Sequence, residues 1–273
     1  MPQLFKAMAE NNYPNKEIVT KFLGGGGITL KQHWVYGIAA SEIKKGNWDF
    51  VVLQEQSMLG SETIIENKSY VGNPNEFFKY SKLFNQIIVS SGARTVFYLT
   101  WSRKGNPEQQ KYLDYAYMKI AKELKSRIAP VGIVWDKLRK NKQFNLYETD
   151  GSHPSIYGSY LGAMTLFSTI FDTLAIDFSG NLYGLELLRG GKIAHSKSIL
   201  CNLPEKDILL IQDETNLVFN KMKNNSGYIN VEKAINEKGT ESQLLTLISS
   251  AEVQLIIILI LGGIYLLIKV ILK

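Results

Sequence analysis

The chain has 273 residues, 45% of them hydrophobic, so it can bury a sizeable core and is not a small disulfide-stapled module. Its one cysteine, Cys201, rules out an intrachain disulfide, and three widely spaced histidines, His33, His153 and His195, argue against a metal site of the His/Cys kind. The formal charge of +6 is a mild excess; the basic residues from Lys104 to Lys142 fall mostly on predicted surface helix without aromatic interleaving, which speaks against a nucleic-acid partner.

Strand and helix signals alternate through the first two thirds, which predicts an α/β domain with a parallel sheet and crossover helices. Residues 2–11 read as helix and 17–23 as strand, closed by four glycines, Gly24 to Gly27. Residues 29–40 read as helix, and 48–54, WDFVVLQ, as a strand buried on both faces. Helix follows at 75–90, strand at 94–101, a long amphipathic helix at 107–127 and a short strand at 130–135. The strongest helical pattern comes next, because Ile156, Tyr160, Ala163, Phe167, Ile170 and Leu174 step by three and four, with Ser155 placed to cap. Beyond residue 176 strands are expected at 181–188, 198–203 and 207–211, and a loop at 221–227.

Ahead of that helix stands ETDGSHPS, with Asp150 and His153 three residues apart. Pro154 biases His153 away from helical geometry, so the imidazole sits in an extended or turn conformation within reach of the carboxylate. Asp150 can then fix the ring tautomer and leave the other nitrogen free to accept a proton from a hydroxyl. The competing view is an ordinary turn, and the local sequence does not choose between them. The glycine run has a comparable alternative as a flexible strand-to-helix turn; it matches neither G-x-G-x-x-G nor the P-loop, and no cofactor is expected. Trp34, Trp101 and Trp135 read as core aromatics.

DGSHPSIYGSYLGA resembles the final block of the SGNH (GDSL-like) hydrolase superfamily. GGGGITLKQH is similar to its block with an oxyanion glycine, WDFVVLQEQS to the strand and loop carrying the oxyanion side-chain amide, and YLTWSRKGNP and IAPVGIVWDKL to later strands of one bacterial-type branch. The resemblance implies a three-layer SGNH/flavodoxin-like fold and a serine esterase acting on a small-molecule or glycan ester, with O-acyl (acetyl) groups of carbohydrates as substrate class. By position it makes Asp150 the orienting acid, His153 the general base, and Gly26 with Gln56 the oxyanion donors, Gln54 being the rival amide. It also implies a nucleophilic serine on a turn N-terminal to Met1, so that the chain as written lacks the first strand of the fold. Ser57 and Ser61 are the substitutes near the expected pocket, and the segment 206–216, KDILLIQDETN, has the outline of a displaced first block. A noncatalytic membrane-tethered pseudoenzyme or binding protein is the alternative.

The last feature is the run from Leu255 to Leu272, 18 residues with one charge. As a helix it would extend ~27 Å, close to the bilayer hydrocarbon thickness, so a single-pass C-terminal anchor is expected, with the side of the membrane undecided. The predicted organisation is a hydrolase-like domain at 1–175, an extension at 176–250 and a membrane helix at 253–272.

Overall fold

In a computed structural model, which describes residues 1–24, 27–60, 62–65, 68–71, 74–141, 143–188, 192–224 and 264–272, helix and strand alternate as the apolar periodicity requires. The first half contains α1 (Pro2–Asn12), β1 (Lys16–Gly24), α2 (Leu30–Tyr36), α3 (Ile38–Lys44), β2 (Phe50–Leu53), a hairpin of β3 (Glu62–Ile65) and β4 (Lys68–Val71), and α4 (Pro74–Ser90). Then follow β5 (Arg94–Tyr98), α5 (Gln110–Leu124), β6 (Arg127–Ala129), α6 (Val131–Leu138), α7 (Ile156–Phe171), a second hairpin of β7 (Asn181–Leu187) and β8 (Ile193–Asn202), α8 (Glu205–Asn224) and β9 (Ile264–Leu272).

The main sheet runs β1-β9-β2-β5-β6. Strands β2, β5 and β6 are parallel, and β9 lies antiparallel to both of its neighbours, β1 and β2. Every residue of β2 is buried, because helices cover both faces and no side chain of this strand can reach water. Helix α7 forms where expected, with Tyr160, Ala163, Phe167 and Ile170 in the core and Ser155 Oγ accepting from Gly158 N at 3.3 Å, but Ile156 is exposed, Leu174 lies past its end, and residues 160–170 are all buried, so the helix is enclosed rather than packed on one stripe. Arg127 ties the far end of α7 to β6, its guanidinium donating to Thr169 O and Ile170 O at 3.0 and 2.9 Å, where the helix leaves carbonyls unpaired.

Five expectations change. The helix expected at 29–40 is two helices, because Gly37 adopts φ 74° and its N–H closes the end of α2 on His33 O. The strand expected at 130–135 is helix α6, and the strand comes just before it as β6; Pro130, which has no N–H to give, stands at the N-cap, and Val131, Val134, Trp135 and Leu138 present a helical stripe to the core. Residues 207–211 and the supposed displaced first block lie inside α8, whose buried Ile208, Ile211, Thr215, Val218, Phe219 and Met222 step by three and four. The loop expected from 221 is helical to Asn224, and residues 225–227 lie outside the described residues.

The largest change is at the C-terminus. Residues 264–272, expected as the second half of a membrane helix, form β9 and occupy the row between β1 and β2 that the resemblance would leave empty. An unbroken apolar run suits a strand between two others as well as a helix in lipid, and IYLLIKVIL is rich in the β-branched and aromatic residues that strands favour. Residues 225–263 lie outside the described residues, and among those described no helix is long and apolar enough to cross a membrane.

Two predictions follow from this packing. Removing residues 254–273 opens both hydrogen-bond rows of β9, so the truncated protein should lose most of its cooperative thermal unfolding transition. An unchanged melting temperature would contradict the strand. At Gly132, an added Cβ would lie 2.1 Å from Thr100 O and 2.3 Å from Gln110 Nε2. Gly132→Ala should therefore cost about 1–3 kcal/mol by chemical denaturation, because α6 can no longer approach the loop after β5 so closely.

Candidate active site

At the C-terminal edge of the parallel strands, where successive loops turn outward, a cavity of about 90 Å³ is lined by residues from four separate segments. Gly27 comes from the loop after β1; Gln54, Gln56 and Ser57 from that after β2; Thr100, Trp101 and Arg103 from that after β5; and His153 from the turn before α7.

That turn is held by its own backbone. Glu148 N donates to His153 O at 2.8 Å, and Gly151 N to Glu148 O at 3.0 Å. Gly151 takes φ 65°, a left-handed conformation that costs glycine nothing. Asp150 Oδ1 accepts from the backbone N–H groups of Ser152 and His153 at 2.8 and 2.9 Å, and Oδ2 forms a short hydrogen bond with His153 Nδ1. The bond to His153, followed by the two backbone donors, holds the Asp150 carboxyl well below the usual carboxylate range. His153 Nε2 has no hydrogen-bond partner among the described residues, and the side chain is 56% exposed. Pro154 does what its geometry requires, since α7 begins only at Ile156.

The turn is also fastened to the loop after β5. Lys104 N donates to Gly151 O at 2.8 Å and Trp101 Nε1 to Ser152 O at 3.0 Å. Tyr147 Oη reaches Ser102 O at 2.9 Å. Trp101 is itself immobilised by stacking on Trp135, ring centroids 4.1 Å apart and planes at 5°. Both tryptophans are buried, and Trp101 has the second task of positioning the histidine turn.

The two glutamines differ in freedom. Gln54 is buried, with Nε2 donating to Thr100 Oγ1 at 2.9 Å and Oε1 unpartnered among the described residues. A hydroxyl both donates and accepts, so the amide turned over would still satisfy Thr100 and would leave an N–H group as the unpaired atom. Gln56 is half-buried, and its Nε2 makes only a long contact of 3.5 Å to Gly27 O. Gly26 lies outside the described residues; its neighbour Gly27 lines the cavity at φ 72°. Ser57 lines the cavity too, whereas the placement of Ser61 is outside the described residues. Among the described residues no serine hydroxyl hydrogen-bonds His153, and no group of three or more His, Cys, Asp or Glu could hold a metal ion.

Sequence reasoning passed over Glu55, between the two glutamines. It is buried, Oε1 accepting from Gln56 N at 2.7 Å and Oε2 from Leu30 N at 3.1 Å. Burial pushes its carboxyl up to about 7, against the pull of those two donors, with a small upward contribution from Glu76.

No family model matches the chain, and no curated protein matches it. Among solved structures, it is similar to a protein of Slackia heliotrinireducens provisionally assigned as an SGNH hydrolase, with 23% identity, a TM-score of 0.44, and 53% of this chain and 80% of that one covered. It is also similar to TesA, with 14% identity, a TM-score of 0.39, and 54% and 73% covered. At these values neither likeness decides an activity, and the functional reading rests on the geometry of the cavity.

Glu55 yields a prediction with a definite sign. Between its ordinary value of 4.5 and about 7 the folded chain holds a proton here that the unfolded chain has lost, so stability falls as pH rises through that window. The loss, on the order of 3 kcal/mol, is complete above neutrality. Chemical denaturation of wild type should show this slope and Glu55→Gln should abolish it; an identical slope in the variant would contradict the assignment.

Proposed function

We propose that the cavity is an acyl-transfer site of the SGNH hydrolase type, acting on an ester. The observation that supports this most is that His153 lines the same hollow as Gln54, Gln56 and Gly27 while its Nδ1 is held by Asp150. Nε2 then takes the proton of an attacking hydroxyl and returns it to the leaving alcohol. The oxyanion of the tetrahedral intermediate is met by a backbone N–H of the glycine run, Gly26 in this reading, and by a glutamine amide, Gln56 before Gln54 because its nitrogen is the less committed. The nucleophile in this reading is a serine on a turn preceding Met1, and the substrate class, O-acyl groups of carbohydrate, comes with the resemblance alone.

A second reading, a binding protein that keeps the hollow without chemistry, is favoured by two observations. Among the described residues no serine hydroxyl hydrogen-bonds His153, and β9 occupies the row that a first strand carrying the nucleophile would take. Attachment to a bilayer through Leu255 to Leu272 belongs to the proposal as an alternative state, since residues 264–272 cannot pair with β1 and β2 and cross lipid at once.

A fluorophosphonate probe separates these readings. This chain should remain unlabelled, while a form extended upstream by a strand and a Gly-Asp/Asn-Ser turn should be labelled and should hydrolyse aryl esters. In the extended form His153→Ala should lower kcat at least about 100-fold, the share a general base contributes. Labelling of the 273-residue chain that disappears with Ser57→Ala would move the nucleophile to Ser57. Labelling indifferent to His153→Ala would end the hydrolase proposal.

A further inference from the structure

Gln56 and Gly27 face the hollow from loops far apart in sequence, and beside the long Gln56–Gly27 contact a buried side chain ties those loops together. Glu55 Oε1 accepts from the N–H of Gln56, and Oε2 from the N–H of Leu30, three residues past Gly27. Its backbone is fixed independently, because Glu55 N donates to Tyr117 Oη at 2.6 Å and the same hydroxyl lies 3.3 Å from Glu55 O. The carboxylate is thus a two-ended clamp on an immobile base. We propose that Glu55 is a positioning residue for the oxyanion donors, and that its ionised form alone holds the glycine loop and the glutamine loop at the separation the site requires.

The chemistry favours this over simple packing. A carboxylate accepts on both oxygens, whereas a carboxylic acid keeps one good acceptor and turns the other oxygen into a donor facing an N–H. Protonation therefore releases one of the two loops, and the longer bond, to Leu30, is the one that gives way. A buried carboxylate also costs stability unless a cation is paired with it, and among the described residues none hydrogen-bonds Glu55. Among the described residues, the charged and titratable groups around it are Lys31 of α2, which is engaged with Glu76 at 2.6 Å, Glu76 itself on α4, and Tyr117 on α5. A cavity of about 180 Å³ bounded by Glu55, Thr29, Lys31 and Glu76 gives the carboxyl a route for its proton. The raised value of about 7 places the release close to neutral pH. Glutamine at this position would remove the charge and keep the shape; the clamp would then have one acceptor.

The inference rests on the hydrolase reading for its purpose, but its test does not require turnover. Hydrogen exchange of the Leu30 and Gln56 amides is followed in the full chain at about pH 5.5 and about pH 8, corrected for intrinsic rates. Protection of Leu30 should be about tenfold or more lower at the acidic pH, the size expected for losing a hydrogen bond to a charged group. Glu55→Gln should show the low protection at both values, and His153→Ala should behave as wild type. Protection that is flat with pH in wild type, or that still changes in Glu55→Gln, would overturn the clamp. Should Glu55→Gln not fold, carboxyl-labelled glutamate in wild type serves instead: the Glu55 resonance must titrate with the same midpoint as the Leu30 amide, and different midpoints overturn it. A positive exchange result beside an extended form that the fluorophosphonate leaves unlabelled would keep the clamp and discard the chemistry.

Discussion

Three hydrogen bonds converge on the carboxylate of Asp150, and the candidate site exists because of them. Two come from the backbone of Ser152 and His153 and fix the shape of the turn; the third fixes the ring that the turn carries. Were the carboxylate missing, the two N–H groups and the imidazole would each need another partner in an exposed loop, where water competes on equal terms. The arrangement is local, spanning residues 148–154, yet it is aligned with the rest of the sheet edge through Trp101, Lys104 and Tyr147. His153, the amides of Gln54 and Gln56, and Gly27 thereby line one small hollow.

Beneath that edge the sheet is completed from the chain's far end. The row between β1 and β2 demands a strand, since two rows of backbone donors and acceptors cannot be left unpaired inside a helix-covered sheet. Residues 264–272 supply it, running against the direction of their neighbours. This choice bears on function as well as on stability. An antiparallel strand begins at the edge where its parallel neighbours end, so Ile264 stands opposite Gly24, at the start of the glycine loop.

How far the sequence foretold this depends on the kind of signal. α7 was legible because a long apolar run behind a capping serine leaves little choice, and β2 because four consecutive core residues between polar flanks read as a strand covered on both sides. The contact between Asp150 and His153 was legible because Pro154 keeps the ring out of the helix, three residues from the carboxylate, whereas the glutamines entered only through the resemblance. β9 was not, since an apolar run carries no period to separate a lipid-crossing helix from a central strand; only tertiary pairing decides. α8 was misread for a different reason: DILLI looks like a strand when taken alone, and the stripe from Ile208 to Met222 emerges only over a wider window. Glu55 could not be anticipated, because a charged residue between two glutamines gives no hint that it turns inward to join two loops.

General-base chemistry at His153 requires one tautomer of its ring. If Asp150 holds His153 through Nδ1, the neutral imidazole carries its proton on Nδ1 and leaves Nε2 bare toward the hollow. ¹⁵N chemical shifts of the His153 ring, recorded with the ring neutral in wild type and in Asp150→Asn, read this directly. Wild type should show a single Nδ1–H tautomer that becomes mixed in the variant. A proton on Nε2 in wild type, or a tautomer ratio unchanged by the substitution, would contradict it.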